Sequence, residues 1–343
     1  MLKSFNVMVA GIGGASLGTE LIKALNLAGK YNIFGCDIAS TAYGLYDTIC
    51  TKTYHISSKN YITNVIDSCL DAKAQFIVPG GEQPMKLLGA ANAQLKQAGI
   101  QLLGNDPNTI ELFSNKKATF EFLASKSIPI PKTIKIESIH DIEYVGLPCI
   151  VKPATGSGGS VGVFFAVSVK EAMMYAKYIR NDGVYAVAQE YIPHDEGEFS
   201  FGVLSLPDET LVGSIALRRT FDTKISVTYK GRGGIISSPY SQGHVKKYTE
   251  LRQQAEKIAK KIHSKGPINI QGRVRDGILY PFEINPRFSG SVYLRSIAGF
   301  NEIERLIDYY NEIPPKPIQL KYGWYLRSLT ECYIPENSYK KKS

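Results

Sequence analysis

The sharpest chemical feature of this sequence is a strand that carries one lysine to the edge of a glycine-rich loop. It reads Cys149-Ile150-Val151-Lys152-Pro153-Ala154-Thr155-Gly156-Ser157-Gly158-Gly159-Ser160-Val161-Gly162-Val163. A loop holding Gly156, Gly158, Gly159 and Gly162 has little side chain to keep its backbone N–H groups from an anion, which suits a polyphosphate. Lys152 precedes the glycines instead of following them, so the Walker pattern is not met. Taken alone, the glycines also fit a flexible hairpin.

A second run, Tyr280-Pro281-Phe282-Glu283-Ile284-Asn285-Pro286-Arg287-Phe288-Ser289-Gly290-Ser291, places a carboxylate and an amide in alternation. On a strand this sends Glu283 and Asn285 to one face and turns Phe282 and Ile284 toward the core. Arg287 shares the polar face if the chain stays extended past Pro286. A carboxylate with an amide oxygen makes a hard ligand set for magnesium, whose other positions fall to water and nucleotide phosphates. An arginine beside them can grip a phosphoryl oxygen. The plainer alternative is a surface strand end with an ordinary ion pair.

Two kinds of scaffold must position these residues. Toward the start, short apolar runs (VMVAGIGG, IFGCD, FIVPGG, IQLLG) alternate with helical periodicity such as Leu17/Leu21/Leu25/Ala28 and Tyr61/Val65/Ile66/Cys69. That alternation predicts an α/β domain with a parallel sheet over residues 1–107, closed by the turn chemistry of Asn105-Asp106-Pro107. A helix with Phe113, Phe120 and Leu123 follows, and from Pro148 onward strands dominate at hairpin-like spacing. Residues 108–312 therefore read as an α+β unit with antiparallel sheets, its smaller lobe near 118–192, and 313–343 as a C-terminal tail with mobile lysines at its end. Helices interrupt the strands at a capping box, Ser168-x-x-Glu171, and in a basic stretch from Lys246 to Lys261. The basic helix gathers Leu251, Ala255, Ile258, Ala259 and Ile262 on one face, so its lysines read as a solvated outer face and not a nucleic-acid stripe.

Composition narrows the class. The chain has 343 residues, 44% hydrophobic and 21% charged, with a net charge of +9 that is spread along it, as expected of a globular protein. No stretch approaches the roughly 18 to 20 uncharged apolar residues of a membrane span, and the opening runs straight into a strand pattern, so a cytoplasmic protein without a membrane partner is expected. The five cysteines, Cys36, Cys50, Cys69, Cys149 and Cys332, form no CxxC pair and read as buried thiols. The five histidines have no partners at ligand spacing.

Together, Lys152 with its glycine loop, Gln189-Glu190-Tyr191-Ile192, Glu198 and Glu283-x-Asn285-Pro286-Arg287 resemble the nucleotide site of the ATP-grasp superfamily. The resemblance is greatest to the branch containing the carbamoyl phosphate synthase large subunit and the carboxylate–amine ligases, and it covers nearly the whole chain. It implies a parallel-sheet pre-ATP-grasp domain before the antiparallel ATP-grasp fold. ATP and Mg2+, with Mn2+ as a substitute, are the implied cofactors.

Position by position, Lys116, with Lys117 as its rival, resembles the first ATP lysine and Lys152 the second. Gly158, Gly159 and Ser160 belong to the phosphate loop. Backbone groups of Gln189, Glu190, Tyr191 and Ile192 would hold adenine, and Glu198 the ribose hydroxyls. Glu283 would bridge two magnesium ions and Asn285 would bind one. Gln271 falls on a further metal position, and its register depends on the Asp276-Gly277 connection: a two-residue turn pairs it with Phe282, a bulge with Glu283. Arg287 would hold the transferred phosphoryl group. Of Arg218 and Arg219 alternation lets one face inward, and Arg219 is preferred as the second catalytic cation. Gly13, Glu82 and Arg232 are the substrate-binding candidates, on loops that would face the cleft.

The implied reaction joins a small carboxylate to an amine through an acyl phosphate, releasing ADP and phosphate, with no enzyme nucleophile. A homodimer is the default assembly at this size. A nicotinamide oxidoreductase is the rival class, because Gly11-Ile12-Gly13-Gly14 follows the first strand and Asp37 ends the second. Its fingerprint is incomplete, since Ser16 occupies the last glycine position. A non-catalytic nucleotide-binding subunit is the third reading.

Overall fold

The computed structural model describes residues 5–154 and 161–339. The apolar run that opens the chain forms a strand, Phe5–Ala10, at the centre of a five-stranded parallel sheet. Tyr31–Asp37 and Phe76–Pro79 flank it, with Lys52–His55 and Gln101–Leu102 at the edges. Val7 and Val9 face one core while Met8 and Ala10 face another, so both sides of the strand are covered and the run is uninterrupted by polar residues. Gly11 ends this strand close to the helix Leu17–Ala28 and to Gly80. A Cβ at Gly18 or at Gly80 would sit 1.9 Å from the Gly11 carbonyl oxygen, so this corner closes only with glycine at both.

One of those cores does not end with the N-terminal sheet. Phe288, Val292, Ile303, Leu306 and Ile307 pack into it beside Val7, Val9, Leu21 and Leu25. The segment after Arg287 and the helices Val292–Ile297 and Glu302–Tyr310 thereby tie the far end of the chain to its beginning.

A four-stranded antiparallel sheet orders Thr133–Lys135, Ala186–Glu190, Cys149–Pro153 and Phe164–Ala166. Alternation divides it cleanly: Cys149, Val151, Ala186 and Ala188 pack under the helices Ile139–Val145 and Val169–Asn181, leaving Ile150, Lys152 and Gln189 on the opposite face. Ser168 caps the second of these helices, accepting from the Glu171 N–H at 3.2 Å.

The central sheet has six strands, ordered Ile278–Asn285, Pro267–Arg275, Glu198–Ser205, Leu211–Arg219, Gly243–Val245 and Gly323–Tyr325, all antiparallel. Phe199, Phe201, Val203, Ile268 and Ile270 face the helix Thr249–Lys261, whose Ala255, Ile258 and Ala259 are buried as its periodicity predicts. Glu198, Ser200, Asn269, Gln271 and Arg273 therefore make a polar row on the other face. The last strand comes from the region expected to be a tail. The terminal lysines 340–342 lie outside the described residues. Among the described residues no helix is long and apolar enough to cross a membrane.

Candidate nucleotide and phosphoryl-transfer site

A cleft of about 730 Å3, counting its open mouth, lies between the Ile150, Lys152 and Gln189 face of the four-stranded sheet and the polar row of the central sheet. Its walls combine apolar side chains (Ile150, Val163, Ile192, Ile236, Phe282) with charged ones (Lys152, Glu198, Arg273, Glu283). Lys152 is 6% exposed, and its Nζ donates to Gln189 Oε1 at 2.8 Å and stands 5.2 Å from the Phe120 ring centroid. The strand thus aims a desolvated cation into the cleft. Gly156, Gly158, Gly159 and Ser160 lie outside the described residues, as do the side chains of Lys116 and Lys117. The backbone of Lys116 opens the helix Lys116–Ser125, with Asn115 capping it through the Ala118 N–H at 3.1 Å.

The expected hinge, Gln189 to Ile192, lines the cleft. Gln189 is registered between Thr133 and Ile150 inside the sheet, and the Glu190 N–H donates to the Lys132 carbonyl at 2.8 Å. The Lys132 N–H goes to Glu190 Oε2 at 3.1 Å and not to the Glu190 carbonyl, and both Gln189 and Glu190 line the cleft. Tyr191 and Ile192 follow the strand, and Ile192 O accepts from Arg273 Nη1 at 2.8 Å. The Glu190 carboxylate pairs with Arg275 at 2.6 Å.

Glu198 is buried between two arginines, with Arg273 Nε at 2.9 Å from Oε2 and Arg219 Nη1 at 3.6 Å from Oε1. Burial alone would raise its pKa, but Arg273 and Arg219 outweigh it and hold the carboxyl below its ordinary value. Arg219 is the inward member of its pair, while Arg218 is exposed. Arg219 does not end in open space: Nη2 donates to Ser238 O at 2.7 Å and to Tyr240 O at 3.3 Å, fastening the segment after it. Arg273 similarly holds Ile235 O at 2.6 Å, and the Ile235 N–H donates to the Tyr191 hydroxyl at 2.9 Å. The hairpin Val227–Gly231/Gly234–Ser237 is docked over the cleft by these bonds.

At the other end, Gln271 pairs with Glu283, and its Nε2 donates to Glu283 Oε2 at 2.9 Å. The connection is a two-residue Asp276-Gly277 turn, yet a bulge between Gln271 and Gly272 resets the register. Leu279 and Ile284 both face the helix core although the interval between them is odd, which an unbulged strand cannot accomplish. Phe282 absorbs the extra step and lines the cleft, contrary to the core placement expected from alternation. Asn285 follows on the polar face with its Nδ2 buried and without a hydrogen-bond partner. The chain does not stay extended past Pro286: the Arg287 N–H turns back to Asn285 O at 2.8 Å. Burial lowers the pKa of Arg287, and the charges of Glu283 and Glu82 oppose that fall; its Nη1 donates to Phe288 O at 2.9 Å. Its Nε is also unpartnered.

The metal assignment fits this chemistry in part from the protein and in part from a nucleotide. Among the described residues no three His, Cys, Asp or Glu side chains cluster. Glu283, Asn285 and Gln271 supply one carboxylate and two amides, so a magnesium ion there needs phosphate oxygens to complete its shell.

The substrate-binding candidates part company. Gly13 lines a separate cavity at the carboxyl ends of the parallel strands, with Ser16, Asp37, Gly80 and Gly81. Glu82 begins the helix Glu82–Ala90 beside that cavity and pairs with Lys86 at 3.0 Å. Arg232 turns away from the cleft and pairs with Glu171 on the smaller lobe, its side chain largely exposed, because the Gly231-Arg232-Gly233 turn lies at the outer end of the hairpin. Asp37, which a dinucleotide reading aims at a ribose, instead accepts the Ile12 N–H at 2.7 Å and the Ala39 N–H at 2.9 Å. Arg273 was not anticipated, although it shares a face with Gln271 by simple alternation. Arg327 was not anticipated either, and no pattern in the tail announces it.

Two antiparallel sheets closing on a lysine-bearing cleft, with a hard-oxygen row at its end, define a nucleotide-using enzyme class. The sequence profile of the ATP-grasp domain matches residues 113–291, and the chain belongs to the ATP-grasp family of ligases. It is 24% identical over 219 residues to the carbamoyl phosphate synthase large chain of Halomonas eurihalina, a match that covers 62% of this chain but 19% of that protein. The fold is similar to the biotin carboxylase domain of Hydrogenobacter thermophilus 2-oxoglutarate carboxylase in complex with MgADP, ADP and bicarbonate (TM-score 0.66, 16% identity, 93% of this chain and 73% of that one). It is also similar to D-alanine–D-alanine ligase from Bacillus anthracis complexed with ATP (TM-score 0.60, 15% identity, 90% of this chain and 99% of that one).

Proposed function

We propose that this chain is an ATP-dependent carboxylate–amine ligase that forms an amide through an acyl phosphate and releases ADP and phosphate. The observation that carries the reading is the junction of the Lys152 cleft with the Glu283, Gln271 and Asn285 row, where an apolar slot for a base runs directly into hard oxygen ligands and unpartnered donors. Adenine lies between Ile150, Val163 and Phe282, meeting the backbone at Tyr191 and Ile192. Glu198 Oε1, which accepts no hydrogen bond, takes a ribose hydroxyl. Lys152 neutralises the phosphates, and Glu283, Asn285 and Gln271 hold magnesium, which when bound spreads the charge of the transferred phosphoryl group. Arg287 grips that group through its free Nε edge as the substrate carboxylate attacks the γ-phosphorus in line and ADP leaves. The amine then displaces phosphate from the acyl phosphate, and the docked hairpin keeps water out during the interval.

The N-terminal domain (1–107) contributes the Gly13 and Glu82 side of the site, and the grasp (108–312) the nucleotide side. Small-molecule substrates, a cytoplasmic setting and a homodimer complete the proposal. Biotin carboxylase of the structure cited above is itself described as a domain dimer.

Product analysis tests the chemistry. With ATP, magnesium, a panel of amino, hydroxy and sugar acids, and hydroxylamine as a general amine trap, turnover is expected to give ADP, phosphate and a hydroxamate. AMP with pyrophosphate would replace acyl phosphorylation by adenylation.

A further inference from the structure

The loop that carries Arg287 is tethered in an uneven way. Phe288 is buried in the core shared with the N-terminal sheet, whereas Gly290, at the other end of the loop, borders open space. Within the loop, the Ser289 and Ser291 hydroxyls bond one another at 3.0 Å. Among the described residues, and apart from the bond of the Arg287 N–H to the adjoining Asn285 O, one hydrogen bond ties residues 286–291 to a part of the chain other than the helix they lead into. It is donated to Gly290 O by Arg327 Nη2.

Arg327 reaches that point because Gly323–Tyr325 adds to the edge of the central sheet, with Gly243 opposite Tyr325 and Val245 opposite Gly323. Its own N–H donates to Gln242 Oε1 at 3.1 Å, fixing the backbone against the segment that follows Arg219. The same Nη2 donates to Glu20 Oε2 at 2.9 Å, on the helix that follows the Gly13 loop. Both side chains of this ion pair are over nine-tenths buried, so the geometry is held without solvent screening. Arg327 therefore joins the Arg287 loop, the N-terminal helix and the arm after Arg219 through one guanidinium and one amide.

From this junction we infer that Arg327 is a positioning residue for the phosphoryl-transfer end of the site: it holds the Arg287–Gly290 loop in place through the Gly290 carbonyl, braced by Glu20. This rests on the nucleotide reading of the cleft. It assigns to the C-terminal segment a part in setting where Arg287 and Asn285 meet the γ-phosphate, while adenine and ribose contacts lie elsewhere.

The test compares two ligands in the full chain by calorimetry: ADP without magnesium, which reads the base and ribose end, and a non-hydrolysable ATP analogue with magnesium, which reads the γ-phosphate end. Arg327→Met is expected to leave the first affinity within about twofold and to weaken the second by about tenfold, the order of one charged hydrogen bond. Arg327→Lys, which keeps the charge but not the forked reach, recovers part of the loss and serves as the second variant should the methionine protein fail to fold. Unchanged affinity for both ligands in either folded variant overturns the inference, as does an equal fall for both, which is what a merely structural residue would give. Glu283→Gln is the control: if it loses the magnesium-dependent affinity while Arg327→Met does not, this inference fails and the site stands. If the unaltered protein binds neither ligand, the nucleotide reading fails and takes the inference with it.

Discussion

Glu198 and Glu283 lie on the same polar face of the central sheet, yet their surroundings differ in kind. Glu198 is sandwiched by Arg219 and Arg273, and those arginines also donate to the Ser238, Tyr240, Ile192 and Ile235 carbonyls, which leaves Glu198 Oε1 and Arg219 Nε as the unpartnered atoms of this cluster. Glu283 has one amide partner, Gln271, and its neighbours Asn285 and Arg287 keep buried donors that meet nothing. A buried polar group without a partner costs about 1–3 kcal/mol, which a folded chain tolerates where a ligand will later satisfy it. The first cluster builds the cleft and docks the hairpin. In the proposed function the second takes phosphate and metal.

The comparison is broken most severely at Glu198. Removing it strands two buried guanidinium groups, so Glu198→Ala should cost about 3–5 kcal/mol of stability. Chemical denaturation would measure this, and a loss under 1 kcal/mol would mean that the triad is not what holds the cleft. Because its folded pKa is depressed, the contribution of Glu198 is complete above the ordinary value of 4.5 and is lost as pH falls through the lower folded value. Acid unfolding below that pH should accordingly flatten in Glu198→Gln.

Lys152 gives a smaller and different effect. Its charge meets an uncharged amide partner, Gln189, so Lys152→Met keeps the packing against Phe120 while removing one charged contact to phosphate. Nucleotide affinity should fall about 10- to 100-fold, the equivalent of about 1.5–3 kcal/mol. Equal affinities in a titration would take Lys152 out of the site.

How much of this was readable from residue order follows the same division. Local alternation is enough to separate the faces of Cys149–Pro153, Glu198–Ser205 and Pro267–Arg275, because each strand has one apolar and one polar side. It misplaces Phe282, since the bulge at Gln271 and Gly272 arises from pairing with a proline-bearing strand and leaves no mark in the period of either strand alone. Which backbone groups of the hinge are spoken for is likewise set from afar: Gln189 is paired with Thr133 because Thr133–Lys135 lies beside it, a contact distant in sequence. Arg232 reads from sequence as a substrate-binding candidate, but its partner Glu171 is brought near only by the fold. Arg327 shows the limit most clearly, for its role comes wholly from where a short edge strand delivers it.

The central claim of the proposed function is that the Glu283 end holds metal and phosphate, whereas the Glu198 end is chiefly architecture and keeps one open acceptor, Oε1, for a ribose hydroxyl. The measurement closest to it is the magnesium dependence of nucleotide affinity in the unaltered protein and in Glu283→Gln, with unfolding midpoints recorded on the same samples. The account predicts that magnesium tightens binding of a non-hydrolysable ATP analogue in the former, that the amide variant loses this gain by about tenfold or more while magnesium-free ADP binds as before, and that the midpoint barely moves. An unchanged magnesium dependence in Glu283→Gln would contradict it.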